Sequence, residues 1–103
     1  MTLRELQDTI GQWSEVTFDD TGPLPKIHHL KREVDELLAE PYERFEYADC
    51  LILLVDAARK AGLSADALLA TAFEKMEINK QRIWVEDEHG ISHHLVTAES
   101  EAA

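Results

Sequence analysis

The sequence predicts an all-α fold, a helical bundle of about four helices whose core is completed by homo-oligomerisation. Apolar residues recur at helical spacing through most of the first 84 positions. No stretch alternates apolar and polar residues for long enough to indicate a strand. We therefore expect one domain, with an N-terminal helix and turn (1–24), core helices (25–84) and a C-terminal loop and tail (85–103).

The first helix is predicted from about Leu3 to Trp13. Thr2 and Glu5 have the spacing of a capping box, in which side chains satisfy the free amide groups where a helix begins. Apolar residues then follow at helical spacing as far as Trp13. The segment 19–25 combines acids, a glycine and two prolines, so the chain is expected to reverse there.

The second and third helices carry the longest apolar patterns. The second is expected to begin after Pro25, and Pro41 either ends it or opens the third, because proline is tolerated in a first helical turn. The third, from about Tyr42 to Ala61, is apolar on nearly every side, which is typical of a buried helix. Gly62 is predicted to end it in a left-handed conformation.

The fourth helix is predicted from a cap at Ser64 to about Trp84. Beyond it the periodicity fades into a polar loop, and the segment 97–103 is expected to be a frayed tail. These four helices account for the predicted fold.

Charge and composition restrict the class of function. Twenty-one acidic residues against ten basic ones give a formal net charge of −11, which repels nucleic-acid backbones and anionic membranes. The longest apolar run, 50–55, is too short to span a bilayer, and the N-terminus lacks the apolar segment of a signal peptide. Cys50 is expected to be a small buried residue in a reducing compartment. We therefore expect a soluble, cytoplasmic protein that binds neither nucleic acid nor membrane.

Two acidic pairs, Glu33 with Glu36 and Glu46 with Asp49, lie on consecutive predicted helices. Residues three apart share one helix face, and a short connection makes the two helices antiparallel neighbours. The second pair leads into the apolar run, where an unpaired carboxylate is costly. A divalent cation would hold the four acids together, and hard oxygen ligands favour Mg²⁺ or Mn²⁺ over Zn²⁺. The alternative is two solvated helix faces in an acidic protein.

Other residues admit a structural and a functional interpretation. Asp56, two turns beyond Asp49, is expected to be a buried acid hydrogen-bonded to a neighbouring helix. Trp13 and Phe18 are either core residues or stacking partners of a base. His29, one turn before Glu33, is expected at the surface or beside the acids, as is its neighbour His28.

A basic and polar stripe lies on the fourth helix. Lys75, Asn79 and Arg82 fall on one helix face, which is either solvated or directed at an anionic ligand. Lys and Arg are common ligands of phosphate oxygens. If the acids bind a metal ion, this stripe would complete a site for a phosphorylated substrate.

Together, these motifs resemble those of the all-α nucleoside triphosphate pyrophosphohydrolases of the MazG type. They are Glu33-x-x-Glu36, Glu46-x-x-Asp49 and Lys75-x-x-x-Asn79-x-x-Arg82, in order and with similar spacing. The resemblance covers about 27–84 and is closest to the short bacterial and phage subgroup associated with dATP and dGTP. Many relatives carry an acid where this chain has Arg32, so the resemblance assigns no role to that position.

The resemblance implies a reaction and a set of site residues. The reaction is hydrolysis of a (deoxy)nucleoside triphosphate, dGTP or dATP, to monophosphate and pyrophosphate. Mg²⁺, with Mn²⁺ as an alternative, would be bound by Glu33, Glu36, Glu46 and Asp49. One of Glu33 and Glu36 would orient the attacking water.

The resemblance also implies contacts with the substrate and an assembly. Lys75, Asn79 and Arg82 would contact its phosphates, and Trp13 and Phe18 are candidates for binding its base. The family forms homodimers or dimers of dimers. Two alternatives stay open: a non-catalytic helical dimerisation or regulatory module, and a pyrophosphohydrolase for dUTP, dCTP or phosphoribosyl-ATP.

Overall fold

The computed structural model describes residues 1–95. It contains four helices followed by a short antiparallel hairpin. Their bounds are α1 Leu3–Thr17, α2 Leu24–Ala39, α3 Arg44–Lys60, α4 Ala65–Lys80, β1 Trp84–Glu86 and β2 Ser92–His94. The chain divides into two compact units, Met1–Leu68 and Leu69–Ala103, with the boundary inside α4. The predicted helical fold is confirmed.

Helix α1 begins as predicted and ends later than predicted. The Thr2 side chain accepts a hydrogen bond from the Glu5 amide, which forms one half of the predicted capping box, and the Thr2 hydroxyl donates to Glu5 Oε1. The helix continues past Trp13 to Thr17 because no glycine or proline follows until Gly22. This extension carries Ser14, which is buried, into the interface with α3.

Helices α2 and α3 form the central pair. Glu33 of α2 lies beside Glu46 and Asp49 of α3, whereas Lys26, earlier in α2, lies beside Asp56, later in α3. The two helices are therefore antiparallel, as predicted. Pro41 belongs to neither helix and lies in the turn between them.

Helix α3 is less buried than predicted. Leu53, Val55, Asp56 and Ala57 are buried, but the side chain of Leu54 is 49% exposed. The prediction of burial on every side is wrong for the single chain, because neighbouring helices cover only part of the α3 surface. Cys50 is likewise only half-buried.

Helix α4 begins at the expected cap, where Ser64 Oγ accepts a hydrogen bond from the Ala67 amide. Gly62 before it has a φ of 85°, the left-handed conformation predicted for it. The helix ends at Lys80, so the prediction that it reaches Trp84 is wrong. Among the described residues, no helix combines the length and hydrophobicity needed to cross a membrane.

The β-hairpin was not predicted. Trp84 pairs with His94 and Glu86 with Ser92, and each strand is only three residues long. In the turn, Asp87 Oδ1 accepts hydrogen bonds from the amides of His89 and Ile91. Strands of three residues are too short to show an alternation of apolar and polar residues in the sequence. The hairpin depends instead on the hydrogen bonds of its turn. The tail predicted for 97–103 lies outside the described residues.

Candidate metal centre

Three of the predicted metal ligands converge between α2 and α3. Glu33, Glu46 and Asp49 each present one carboxylate oxygen within 4.8 Å of those of the other two. Glu33 and Glu46 are half-buried and Asp49 is exposed, so the cluster opens to solvent on one side. Helix periodicity on two antiparallel neighbours brings these groups together, as the sequence pattern predicts.

The fourth predicted ligand, Glu36, lies beside this cluster. It is not among the three groups whose oxygens approach within 4.8 Å. It nevertheless acts electrostatically on both Glu33 and Glu46. Glu36 is exposed, which leaves it free to approach a bound ligand from the solvent side.

Crowded negative charge raises the proton affinity of the centre. The pKa of Glu33 is raised first by its hydrogen bond with Glu36, then by burial and by the charges of Glu36 and Asp49. The pKa of Glu46 is raised first by burial and then by Glu36 and Asp49. Burial raises the pKa of the neighbouring Cys50 thiol, and the acids add to that shift. A cation bound among these groups would favour their ionised forms and would therefore lower their pKa values.

Two oxygens in the cluster lack partners. Glu33 Oε2 and Glu46 Oε2 are buried and have no hydrogen-bond partner in the described part of the chain. Buried polar atoms of this kind are rare because each costs the free energy of its lost hydration. A divalent cation would satisfy both oxygens. The donor set consists only of carboxylates, so it fits Mg²⁺ or Mn²⁺.

One further residue contacts the cluster. His29 Nε2 lies 3.2 Å from Glu33 Oε1, one turn earlier on α2. The spacing of four residues was visible in the sequence, and the structure confirms the expected place beside the acids. The contact engages one oxygen of Glu33 and leaves the other, Oε2, without a partner.

A second polar layer lies two helical turns away on the same pair of helices. Asp56 is buried and accepts hydrogen bonds from Ser14 Oγ and Arg59 Nε, both at 2.8 Å. Lys26 Nζ lies 3.7 Å from the Asp56 carboxylate and 3.2 Å from that of Asp20. The prediction that Asp56 is a buried, hydrogen-bonded acid is confirmed. The buried Lys26 was missed, because its position in the second helix resembles an exposed one.

The two aromatic candidates for base binding contact each other. The rings of Trp13 and Phe18 meet edge to face, with centroids 5.2 Å apart. Lys26 Nζ lies 3.7 Å from the centroid of the Phe18 ring and covers one face of it. Trp13 is 56% exposed, so its ring is the more accessible of the two. A role in base binding stays a prediction for both residues.

The predicted phosphate contacts all lie in the second compact unit. Arg82 Nη1 donates a hydrogen bond to Asn79 Oδ1 at 3.4 Å. Because α4 ends at Lys80, Arg82 lies in the turn beyond it, and the prediction that all three residues share one face of the fourth helix is wrong. Trp84 Nε1 donates to the Asn79 carbonyl oxygen at 2.7 Å and anchors the first strand to the end of α4. Lys75 is exposed. Phosphate binding by this trio stays a prediction.

Comparisons with known proteins give a consistent result. The sequence profile of the dATP/dGTP pyrophosphohydrolase family matches residues 6–102. The "Eaa protein" of Salmonella phage P22 is 42% identical over 80 residues, which are 78% of this chain and 25% of that protein. The "dATP/dGTP diphosphohydrolase" of Salmonella phage PMBT28 is 35% identical over 96 residues, which are 92% of this chain and 32% of that protein. The chain thus spans between a quarter and a third of the length of these two relatives.

A solved structure is similar over nearly the whole chain. The cyanophage S-2L MazG-like pyrophosphohydrolase superposes with a TM-score of 0.80 at 31% identity. The match covers 93% of this chain and 99% of the cyanophage chain. That structure holds dGDP and three catalytic Mn²⁺ ions per active site.

Proposed function

The chain belongs to the dATP/dGTP pyrophosphohydrolase family, and we propose that it hydrolyses purine deoxynucleoside triphosphates to monophosphates and pyrophosphate. The observation that carries the proposal is the carboxylate cluster of Glu33, Glu46 and Asp49, with its buried oxygens that lack partners. The names of the family, of the phage PMBT28 relative and of the cyanophage protein all describe this class of hydrolase, which supports the proposal.

The proposal requires a divalent cation, Mg²⁺ or Mn²⁺. The Mn²⁺ ions in the cyanophage structure support this requirement. Glu33, Glu46 and Asp49 would hold the ion, because their oxygens already converge and two of these residues have unsatisfied atoms. When bound, such a cation would neutralise phosphate charge and supply the nucleophilic water at neutral pH.

The remaining acid has a different role in this proposal. Glu36 is exposed beside the cluster, and its charge acts on Glu33. From that position its carboxylate would orient the attacking water and accept its proton, and Glu33 would bind the ion. A base must lie within hydrogen-bond reach of the proton that it removes, and an exposed position permits this approach.

The substrate would be held at both of its ends. Lys75, Asn79 and Arg82 are proposed to bind phosphate oxygens, for which their charged and amide N–H groups are suited. Trp13 is proposed to contribute to base binding, with Phe18 supporting its ring from the edge. The dGDP in the cyanophage structure supports a purine deoxynucleotide as substrate.

A pyrophosphate-release assay tests the reaction. The protein with Mg²⁺ would be incubated separately with the four common dNTPs and the four NTPs. We expect release with dGTP and dATP, and a loss of roughly 100-fold or more in Glu46→Gln and Asp49→Asn, because each variant removes charge that stabilises the transition state. Asp35→Asn is the matched control, since Asp35 lies exposed on α2 and has no described contact with the cluster.

Two results would contradict this proposal. The first is a folded, metal-bound protein that releases no pyrophosphate from any of these nucleotides, which would favour the non-catalytic helical module. The second is release that survives both cluster variants. The same assay with dUTP and phosphoribosyl-ATP added tests the alternative substrates: preferential release from either of them, or from dCTP, would retain the reaction and change the substrate.

We also propose that the chain works as a homodimer or a homotetramer. Apolar side chains on and before α3 are exposed in the single chain: Tyr42 by 98%, Phe45 by 63% and Leu54 by 49%. Contact with a second copy of the chain would bury this apolar surface, as large exposed apolar patches commonly are at protein–protein interfaces. Molar mass from light scattering is expected to be a multiple of the 11.7 kDa monomer, and Leu54→Glu is expected to lower it. A wild-type mass of one chain at micromolar concentration would contradict the proposal.

A further inference from the structure

One carboxylate of the metal centre is held by a residue to which the proposed reaction assigns no role. His29 Nε2 lies 3.2 Å from Glu33 Oε1. The other oxygen of the same carboxylate, Oε2, is buried without a partner in the described part of the chain. The two oxygens of Glu33 are therefore not equivalent: one faces the imidazole nitrogen Nε2 of His29 and the other has no partner among the described residues.

We propose that His29 is a positioning residue, which fixes the Glu33 carboxylate so that its second oxygen is presented to the divalent cation. The inference rests on the proposed metal centre. Rotation about the last bond of a glutamate side chain is nearly free and exchanges its two oxygens. A donor fixed to one oxygen removes that freedom before the cation arrives, as partners of metal-binding carboxylates commonly do.

The geometry distinguishes positioning from direct ligation. Among the described residues, the ligand atoms that converge within 4.8 Å come from Glu33, Glu46 and Asp49, and His29 is not in that group. Its side chain is 47% exposed, so it contributes little apolar burial to the fold. Its replacement should therefore change metal binding much more than folding stability.

The test measures Mn²⁺ binding without nucleotide, from the spectrum of the free ion in electron paramagnetic resonance. We expect His29→Leu to weaken binding by roughly 10- to 100-fold, the usual effect of removing such a partner. His29→Gln, whose amide N–H can replace Nε2–H, should keep most of the affinity. His28→Leu is the matched control, because the neighbouring His28 is exposed and makes no described contact. The thermal midpoints of the metal-free variants should agree with that of the wild type.

Several results would overturn the inference. They are unchanged Mn²⁺ affinity in His29→Leu, an equal loss in His28→Leu, a His29→Gln variant as weak as His29→Leu, and no Mn²⁺ binding by the wild type. The proposed reaction can fail separately. A wild-type protein whose Mn²⁺ binding depends on His29, yet which releases no pyrophosphate, would refute the reaction and support the role of His29.

Discussion

At the scale of the residue, the carboxylate cluster brings together acids that repel one another when they are ionised. Glu33 and Glu46 both have raised pKa values, for which burial and neighbouring acids are responsible. An acid whose pKa is raised by folding binds protons more readily in the folded state than in the unfolded state. Its ionisation therefore lowers the free energy of unfolding as the pH rises.

This effect predicts a pH-dependent advantage for one variant. In the metal-free protein, Glu46→Gln should be as stable as the wild type below the ordinary glutamate pKa of 4.5. As the pH rises above that value, ionisation of Glu46 lowers the free energy of unfolding of the wild type. The variant has no such group, so it should melt at the higher temperature. Circular dichroism melts across the pH range check the sign.

A second variant serves as the control in the same melting experiments. Asp35→Asn removes an acid from the surface of α2, away from the cluster, and should show no such crossover. Saturating Mg²⁺ should reverse the order, because the wild type keeps a ligand that Glu46→Gln has lost. If the metal-free wild type were more stable than Glu46→Gln at neutral pH, the burial and mutual repulsion of the acids would not lower its stability.

At the scale of the element, the α2–α3 pair is joined by a buried and nearly neutral layer. Lys26 and Asp56 are each only 3% exposed. Ser14 from α1 donates to the same carboxylate, and Arg59 links it to Glu15. The layer thus ties three helices together at the end of the pair remote from the turn at 40–43.

Replacement of Asp56, at the centre of this layer, should lower the free energy of unfolding. Asp56→Leu would remove the most deeply buried partner of Lys26 and Arg59, which would keep Asp20 and Glu15 respectively. Breaking a buried pair costs about 3–5 kcal/mol when the other charge is left uncompensated, so these remaining partners should hold the loss to the lower end of that range. Urea denaturation should show a loss of this size. The double variant Lys26→Met with Asp56→Leu should recover part of it, because apolar groups of similar volume often replace a buried ion pair well.

An exposed ion pair in the same unit provides the comparison. Arg4 and Asp66 form a salt bridge in which both side chains are more than half exposed. Solvent screens such exposed pairs, so Asp66→Asn should change the free energy of unfolding little. Equal losses in Asp56→Leu and Asp66→Asn would show that burial does not set the energy of the Asp56 layer.

The elements also show what could be predicted from the sequence. Caps at Thr2 and Ser64 and the turn at Gly62 were predictable, because each depends on local chemistry that a few residues specify. The hairpin was not, since its strands are too short for a pattern. Lys26 was not, because burial of a lysine depends on Asp56, thirty positions later in the chain.

The positions of the acids in the candidate site were also predictable only in part. Glu33, Glu46 and Asp49 meet because helical spacing and a short connection leave little freedom. The outer place of Glu36 was not predictable, since it depends on how far α2 is rotated against α3. That rotation is a property of the packed pair and not of either helix.

At the scale of the whole molecule, the formal charge of −11 makes stability sensitive to cations. Specific binding at a hundredfold excess over the Kd should add about 2.7 kcal/mol to the free energy of unfolding. For a chain of this size that raises the melting temperature by roughly 10–20 °C. Thermal melts with and without millimolar Mg²⁺ check this expectation.

General screening must be separated from specific binding in these melts. NaCl at the same ionic strength screens surface charges without occupying the carboxylate cluster, so it should raise the melting temperature less. Asp49→Asn should lose most of the Mg²⁺ response and keep the NaCl response. An equal response to both salts in the wild type would mean that the cluster has no specific site.

The position of the carboxylate cluster along the chain also bears on when it forms. Its three acids lie between Glu33 and Asp49, on two consecutive helices joined by a short turn. Loop-closure entropy grows with the length of the loop, so contacts this close in sequence are among the fastest to form. The cluster can therefore assemble on a nascent chain before α4 is complete. If a cation binds there, we expect it to stabilise this helix pair before the later part of the chain has folded.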